Sequence, residues 1–222
     1  MPARFELFAF WRTSATYRVR VAMNLKGLEA EEKQVNLIEG QQHDPAFLKV
    51  NPMAAIPALV DRADGAPGEA MTQSLAILEF LEEVAPSPAI LPSDPYGRAR
   101  VRSLSLLLAA DTHPFITPRV RKYLGTMTAL DDATWKAWQA NWIAAGLQGL
   151  EKRLAEPGTG RFCHGDTPGM ADICMASIIV VARVFGIGVP GIPTVERIMA
   201  ACEALPAFAK ADPRRQVGAP PG

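Results

Sequence analysis

Phe10-Trp11-Arg12-Thr13-Ser14-Ala15-Thr16-Tyr17-Arg18-Val19-Arg20-Val21-Ala22-Met23-Asn24-Leu25-Lys26-Gly27 runs from the end of an apolar strand, past two hydroxyls, into a helix that a glycine stops. Thr13 and Ser14 stand at N-cap positions, and Tyr17, Val21 and Leu25 recur at helical spacing. Gly27 supplies the left-handed stop. Hydroxyls ahead of a helix ordinarily satisfy its own N–H groups. They have a second use, because a helix N-terminus carries partial positive charge and unpaired donors that favour an anion. Were that anion a thiolate, the same donors would lower its pKa and activate it. The stretch alone leaves both uses open.

On either side of it the chain reads as a small mixed sheet. Phe5 to Phe10 is almost wholly apolar and predicts a strand buried on both faces. Glu31 to Leu37 alternates weakly through Lys33, Val35 and Leu37, completing a βαβ unit with a parallel pair. Asp44 to Leu48 predicts a short helix that Asn51-Pro52 breaks. Ile56 to Asp61 is a strand with Pro57 at its start, where a missing N–H costs no ladder bond. Turn residues Ala63 to Gly68 lead to a returning strand, Glu69 to Thr72. Gln73-Ser74 then opens a strongly periodic helix ending near Val84. Four strands with helices on both faces follow from this pattern.

Four prolines between Ala85 and Pro95 mark a semi-rigid boundary. The expected division is a domain over 1–85, a linker over 86–94 and a second domain over 95–222. Every periodic segment beyond the linker is helical: 95–111, 132–155 with its Trp135, Trp138 and Trp142, 170–185, and Val195 to Leu205. Asp212 to Gly222, rich in Pro, Gly and Arg, reads as a loose tail.

Twenty-three basic and 23 acidic residues give no net charge, which offers nucleic acid or an anionic membrane no footprint. Cys163, Cys174 and Cys202 are odd in number and lack metal-ligand spacing, so buried free thiols in a reducing compartment are expected and no metal is. Met1-Pro2-Ala3-Arg4 leads straight into a strand, so no signal peptide is expected. The longest apolar run, Ile173 to Ala182, is too short to span a bilayer. A cytoplasmic location follows by elimination.

An α/β half of this order joined to an all-α half resembles the cytosolic glutathione transferases, and the motifs resemble their zeta class. They are the Phe10–Ala22 stretch, Asn51-Pro52 through Ile56-Pro57-Ala58-Leu59-Val60, Gln73-Ser74-Leu75-Ala76-Ile77, and Leu91-Pro92-Ser93-Asp94-Pro95. Asp111-Thr112-His113-Pro114, Phe162-Cys163-His164-Gly165-Asp166-Thr167-Pro168 and Ala171-Asp172-Ile173-Cys174 continue the match in order to about residue 213. The resemblance implies the glutathione transferase fold: a thioredoxin-like domain with a four-stranded mixed sheet, then a helical bundle contributing the electrophile pocket. It implies a homodimer and the activity of a glutathione-dependent maleylacetoacetate or maleylpyruvate isomerase. It places glutathione against Thr13, Ser14, Ala15, His43, Ile56, Pro57, Gln73, Ser74 and His113.

In this family the proline matching Pro57 is cis and turns the backbone of Ile56 outward to pair with the cysteinyl part of glutathione. Gln73 and Ser74 would hold the γ-glutamyl carboxylate at a helix N-terminus. Thr13 or Ser14 would stabilise the thiolate, and the sequence does not choose between them. Arg12, matching a substrate-binding position, and Arg119 are the candidate guanidinium groups for a diacid. Each also has a plain use: edge proline, helix cap, solvated histidine, salt bridge. Asp172 reads as a folding element that reaches back to the N–H of Gly169.

Three departures bear on the substrate. Ala15 replaces the family's cysteine, Pro118 adds a helix-breaking residue before Arg119, and Val184 stands where an arginine precedes Phe185, with Arg183 one place early. A glutathione transferase or dehalogenase for a less charged electrophile therefore stays open beside the isomerase, as does a non-catalytic glutathione-fold binding protein.

Overall fold

Residues 3–220 are described by the structure, a computed structural model. Strands β1 (Phe5–Ala9), β2 (Ala30–Gln34), β3 (Ala58–Asp61) and β4 (Ala70–Thr72) form one sheet in the order β2-β1-β3-β4. β1 pairs parallel with β2 and antiparallel with β3, and β3 antiparallel with β4. Helices α1 (Ser14–Leu25), α2 (Pro45–Leu48) and α3 (Ser74–Val84) belong to the same unit. Alternation along β1 assigns them to faces. Phe5 meets Phe80 of α3 edge-on at 6.5 Å, whereas Phe8 meets Phe47 of α2 at 5.8 Å on the other side. Helices do lie on both faces, but β1 is not buried on both as its composition predicts: Phe5, Leu7 and Ala9 are buried while Glu6 and Phe8 are half-exposed.

α1 is buried from Ser14 to Met23. Its C-terminus closes in a Schellman arrangement, with Leu28 N–H donating to Met23 O at 2.9 Å, Gly27 N–H to Asn24 O at 3.3 Å, and Gly27 at φ +66°. Lys26, just past it, is buried and donates to Glu82 Oε2 (2.7 Å) and to the carbonyls of Ala85 (2.7 Å) and Pro88 (2.9 Å).

The second unit, Ile90–Leu205, holds α4 (Pro95–Ala109), α5 (Pro118–Met127), α6 (Asp132–Leu154), α7 (Met170–Val184) and α8 (Pro193–Glu203). Apolar α7 packs against α4, α6 and α8. Its start has the expected device: Asp172 accepts from Gly169 N–H and Cys163 N–H, each at 2.8 Å. α8 has no side-chain cap of its own, and Glu151 of α6 accepts from Thr194 N–H (3.0 Å) and Val195 N–H (2.9 Å) instead. Burial raises the Glu151 pKa, but these bonds outweigh it and the carboxyl ends below its ordinary value.

Two expectations need correction. Pro118 does not break a helix but begins one, because at the first helical position its missing N–H would have been unpaired anyway. The stretch from Pro206 to Pro220 is not part of the helical unit, as the expected division has it, but groups with the residues up to Ala89. There α9 (Pro206–Lys210) packs on α1, Phe208 is buried, and Asn24 Nδ2 donates to Ala207 O at 2.9 Å. Gln216 Nε2 donates to the carbonyls of Lys210 (2.8 Å) and Asp212 (2.9 Å), which folds the last turn back; Gly222, the end of the expected tail, lies outside the described residues. Among the described residues no helix is long and apolar enough to cross a membrane.

Lys26→Met should lower the unfolding free energy by about 3 kcal/mol in chemical denaturation, since Glu82 and two carbonyls lose a buried ammonium donor. Glu82→Gln, which keeps an acceptor, should cost less.

Candidate active site

Register fixes the site. Phe8 opposes Ala58 and Ala58 opposes Thr72, so the end of β1, the start of β3 and the end of β4 share one edge of the sheet. The residues just beyond them are Thr13-Ser14-Ala15, Ile56-Pro57 and Gln73-Ser74. Three segments distant in sequence are therefore brought together, two of them helix N-termini.

Thr13 is the N-cap of α1 by backbone (φ −82°, ψ 131°), but its hydroxyl does not bond the helix N–H groups. It lies 2.7 Å from the buried Thr16 hydroxyl instead. Ser14 is buried at 2 % exposure and Ala15 at 8 %, while Thr13 is half-buried. The loop before β3 is pinned by Asn51, whose Nδ2 donates to Ala55 O (2.6 Å) and whose Oδ1 accepts from Met53 N–H (3.0 Å). The Ile56–Pro57 bond is cis, and among the described residues Ile56 has no hydrogen-bond partner for its N–H or carbonyl.

Gln73 is exposed at φ +69°, ψ 110°, a backbone conformation that costs a residue with a side chain about 1–3 kcal/mol. Ser74 follows as the first residue of α3, buried, its Oγ accepting from Arg18 Nε at 2.9 Å. Sequence reasoning missed Arg18. Its only sign was a guanidinium on a helix whose neighbouring positions are apolar.

Arg12 is half-buried and stacks over Phe10 and Trp11, 5.9 and 5.6 Å from their ring centres. Burial lowers its pKa, and among the described residues it has no ion-pair partner, which removes the salt-bridge reading. His43 is exposed on the 3-10 turn Gln41–His43 that follows β2.

His113 and Arg119 belong to the helical unit, on the 3-10 turn His113–Ile116 and on α5. That turn is fixed by Trp138 Nε1 donating to Phe115 O (2.8 Å) and by Phe115 stacked on Trp142 at 4.1 Å. Gly146 of α6 lets it approach, since a Cβ there would meet Thr112 Oγ1 at 2.1 Å. Arg119 is exposed; Arg183 is exposed and paired with Glu203, while Val184 is half-buried. The three cysteines are buried and free of disulfides. Burial, with Asp172 nearby, pushes the Cys163 and Cys202 thiols above their ordinary range, which favours the neutral thiol over the thiolate.

Comparison with known proteins is consistent with this geometry. Residues 3–83 match the family described as glutathione S-transferase, N-terminal domain. A maleylpyruvate isomerase from a Ralstonia species is 38% identical over 95% of this chain and 98% of that protein. This chain is a zeta-class glutathione transferase. The crystal structure of maleylacetoacetate isomerase from Methylobacterium extorquens AM1 with bound malonate and glutathione is 46% identical, covers 97% of this transferase and 100% of its own chain, and superposes with a TM-score of 0.92. The holo structure of a bacterial zeta-class maleyl pyruvate isomerase gives 37% identity, the same coverages and a TM-score of 0.90.

Replacing Gln73 by glycine should raise unfolding stability by about 1 kcal/mol, the relieved strain exceeding glycine's entropic cost. A stability loss in denaturant titration would show that the conformation is unstrained.

Proposed function

We propose that this transferase is a glutathione-dependent cis–trans isomerase of a maleyl-type diacid such as maleylpyruvate or maleylacetoacetate. The carrying observation is the shared sheet edge, where two helix N-termini flank the unpaired Ile56 backbone. That arrangement fits a γ-glutamyl peptide: Gln73 and Ser74 take its carboxylate, Ile56 pairs with its cysteinyl backbone beside Pro57, and His43 reaches the glycyl end. Thr13, Ser14 and Ala15 lie beside the sulfur, and His113 completes the set expected from the family. When bound, glutathione would supply a thiolate nucleophile for reversible addition to a conjugated cis double bond.

The chain's own residues set the charge balance. Thr13 is the hydroxyl we assign to the sulfur, because it is reachable where Ser14 is buried. Its hydroxyl donates to Thr16 Oγ1 at 2.7 Å and would turn that hydrogen to the anion when glutathione binds, where the α1 N-terminus adds its dipole. Arg12, stacked and without a carboxylate partner, holds a substrate carboxylate, and Arg119 a second. Donors of this kind stabilise the enolate-like charge that develops as the double bond is attacked. A homodimer in the cytoplasm belongs to the same reading.

One observation favours a second reading. Arg183 is spent on the surface pair with Glu203 and Val184 is apolar, so α7 carries no free guanidinium at these two positions. Conjugation or dehalogenation of a less charged electrophile would suit that.

Purified protein with glutathione should convert maleylpyruvate to its trans isomer without consuming thiol, whereas the second reading predicts stoichiometric loss of thiol on small halogenated acids. No isomerisation at saturating glutathione overturns the first reading. Thr13→Val should raise the pKa of the bound thiol and cut kcat about tenfold or more, with Ser14→Ala milder. Arg12→Ala should raise KM for the diacid while leaving glutathione affinity nearly unchanged.

A further inference from the structure

A fully buried guanidinium inside α1 needs a reason. Arg18 is 2 % exposed, and its Nε donates to Ser74 Oγ, itself 6 % exposed, at 2.9 Å. A guanidinium has N–H donors and no acceptor, so this bond occupies one of the two lone pairs of the Ser74 oxygen. The Ser74 oxygen is the acceptor and its hydroxyl hydrogen must go elsewhere. Among the described residues nothing accepts that hydrogen.

We propose that Arg18 is a positioning residue for glutathione recognition: it locks Ser74 as a hydrogen-bond donor toward the γ-glutamyl carboxylate. A serine at the N-cap would turn its oxygen on the N–H groups of the first turn, but Ser74 stands one place later, after the N-cap Gln73. Its oxygen is engaged by Arg18, which leaves the Ser74 O–H to join the first-turn N–H groups as a donor to one anion. Gln73, held at φ +69°, starts the helix at that place. The buried positive charge polarises the same hydroxyl, and bonds to charged partners are the stronger kind. Arg18 itself never touches the ligand. Lysine cannot replace it, because an ammonium rotates freely and lacks the planar fork.

The inference rests on the glutathione reading above, and the test separates the two. Glutathione and its analogue lacking the γ-glutamyl α-carboxylate, γ-aminobutyryl-cysteinyl-glycine, are titrated calorimetrically into the native protein and into Arg18→Lys, Ser74→Ala and the double variant. The native protein should prefer glutathione, and Arg18→Lys should reduce that preference about tenfold. Ser74→Ala should do the same, and the double variant should be no worse than Ser74→Ala alone. Equal weakening of both ligands, or additive losses, would mean that Arg18 only supports the fold and would overturn the proposal. If Arg18→Lys does not fold, nitrogen-edited NMR of the native protein decides. The Arg18 Nε–H resonance should move on adding glutathione but not on adding the analogue, and a resonance indifferent to both overturns the idea. Failure of the native protein to bind glutathione at all would instead sink the cofactor reading.

Discussion

Burial of α1 along nearly its whole length obliges each polar side chain on it to find a fixed acceptor. An unpaired charge in that position would cost several kcal/mol, so the helix is tied to its surroundings by specific bonds rather than by apolar contact alone. Arg20 makes a paired contact with Glu32 of β2, both distances 2.7 Å, and reaches the carbonyls of Phe10 and Trp11. Arg18 joins α3, Lys26 joins the end of α3 and the segment after it, and Asn24 joins α9. One helix thus fixes the position of an edge strand, a second helix, and the C-terminal segment. Its N-terminus, where the candidate chemistry sits, inherits that rigidity.

Much of this was legible in the sequence because local signals and tertiary need agree. Gly27 ends α1 as a residue free to take φ +66° should, and the apolar period of Ser74–Val84 matches its buried face. What the sequence did not carry depends on context beyond the local run of residues. Pro118 is a breaker or a starter depending only on where the helix begins. The Glu151 cap on α8 comes from another helix, and the anchoring of Phe208 depends on a surface made near the other end of the chain. β2 begins one residue earlier than expected and stops at Gln34, because pairing with β1, not its weak alternation, sets its length.

The site divides the same way. Thr13, Ser14, Ile56, Pro57, Gln73 and Ser74 were named through motifs, and the register of three strands brings their segments to one edge. What no motif carried was the second layer. Arg18 and Thr16 are polar residues on a buried helix, and in a linear sequence an arginine between Tyr17 and Val19 reads as a solvated position. Only the fold shows that its side chain lies inside.

The unit that carries the candidate site is written in two pieces, up to Ala89 and from Pro206, with the helical unit between them. On the ribosome, the sheet and α1 emerge before the helical unit, yet the surface of α1 that receives α9 stays uncovered until residues 206–210 have been made. The nascent chain must therefore keep that face of α1 open through the synthesis of the whole helical unit, Ile90–Leu205. The first unit can be finished only after the second has been made.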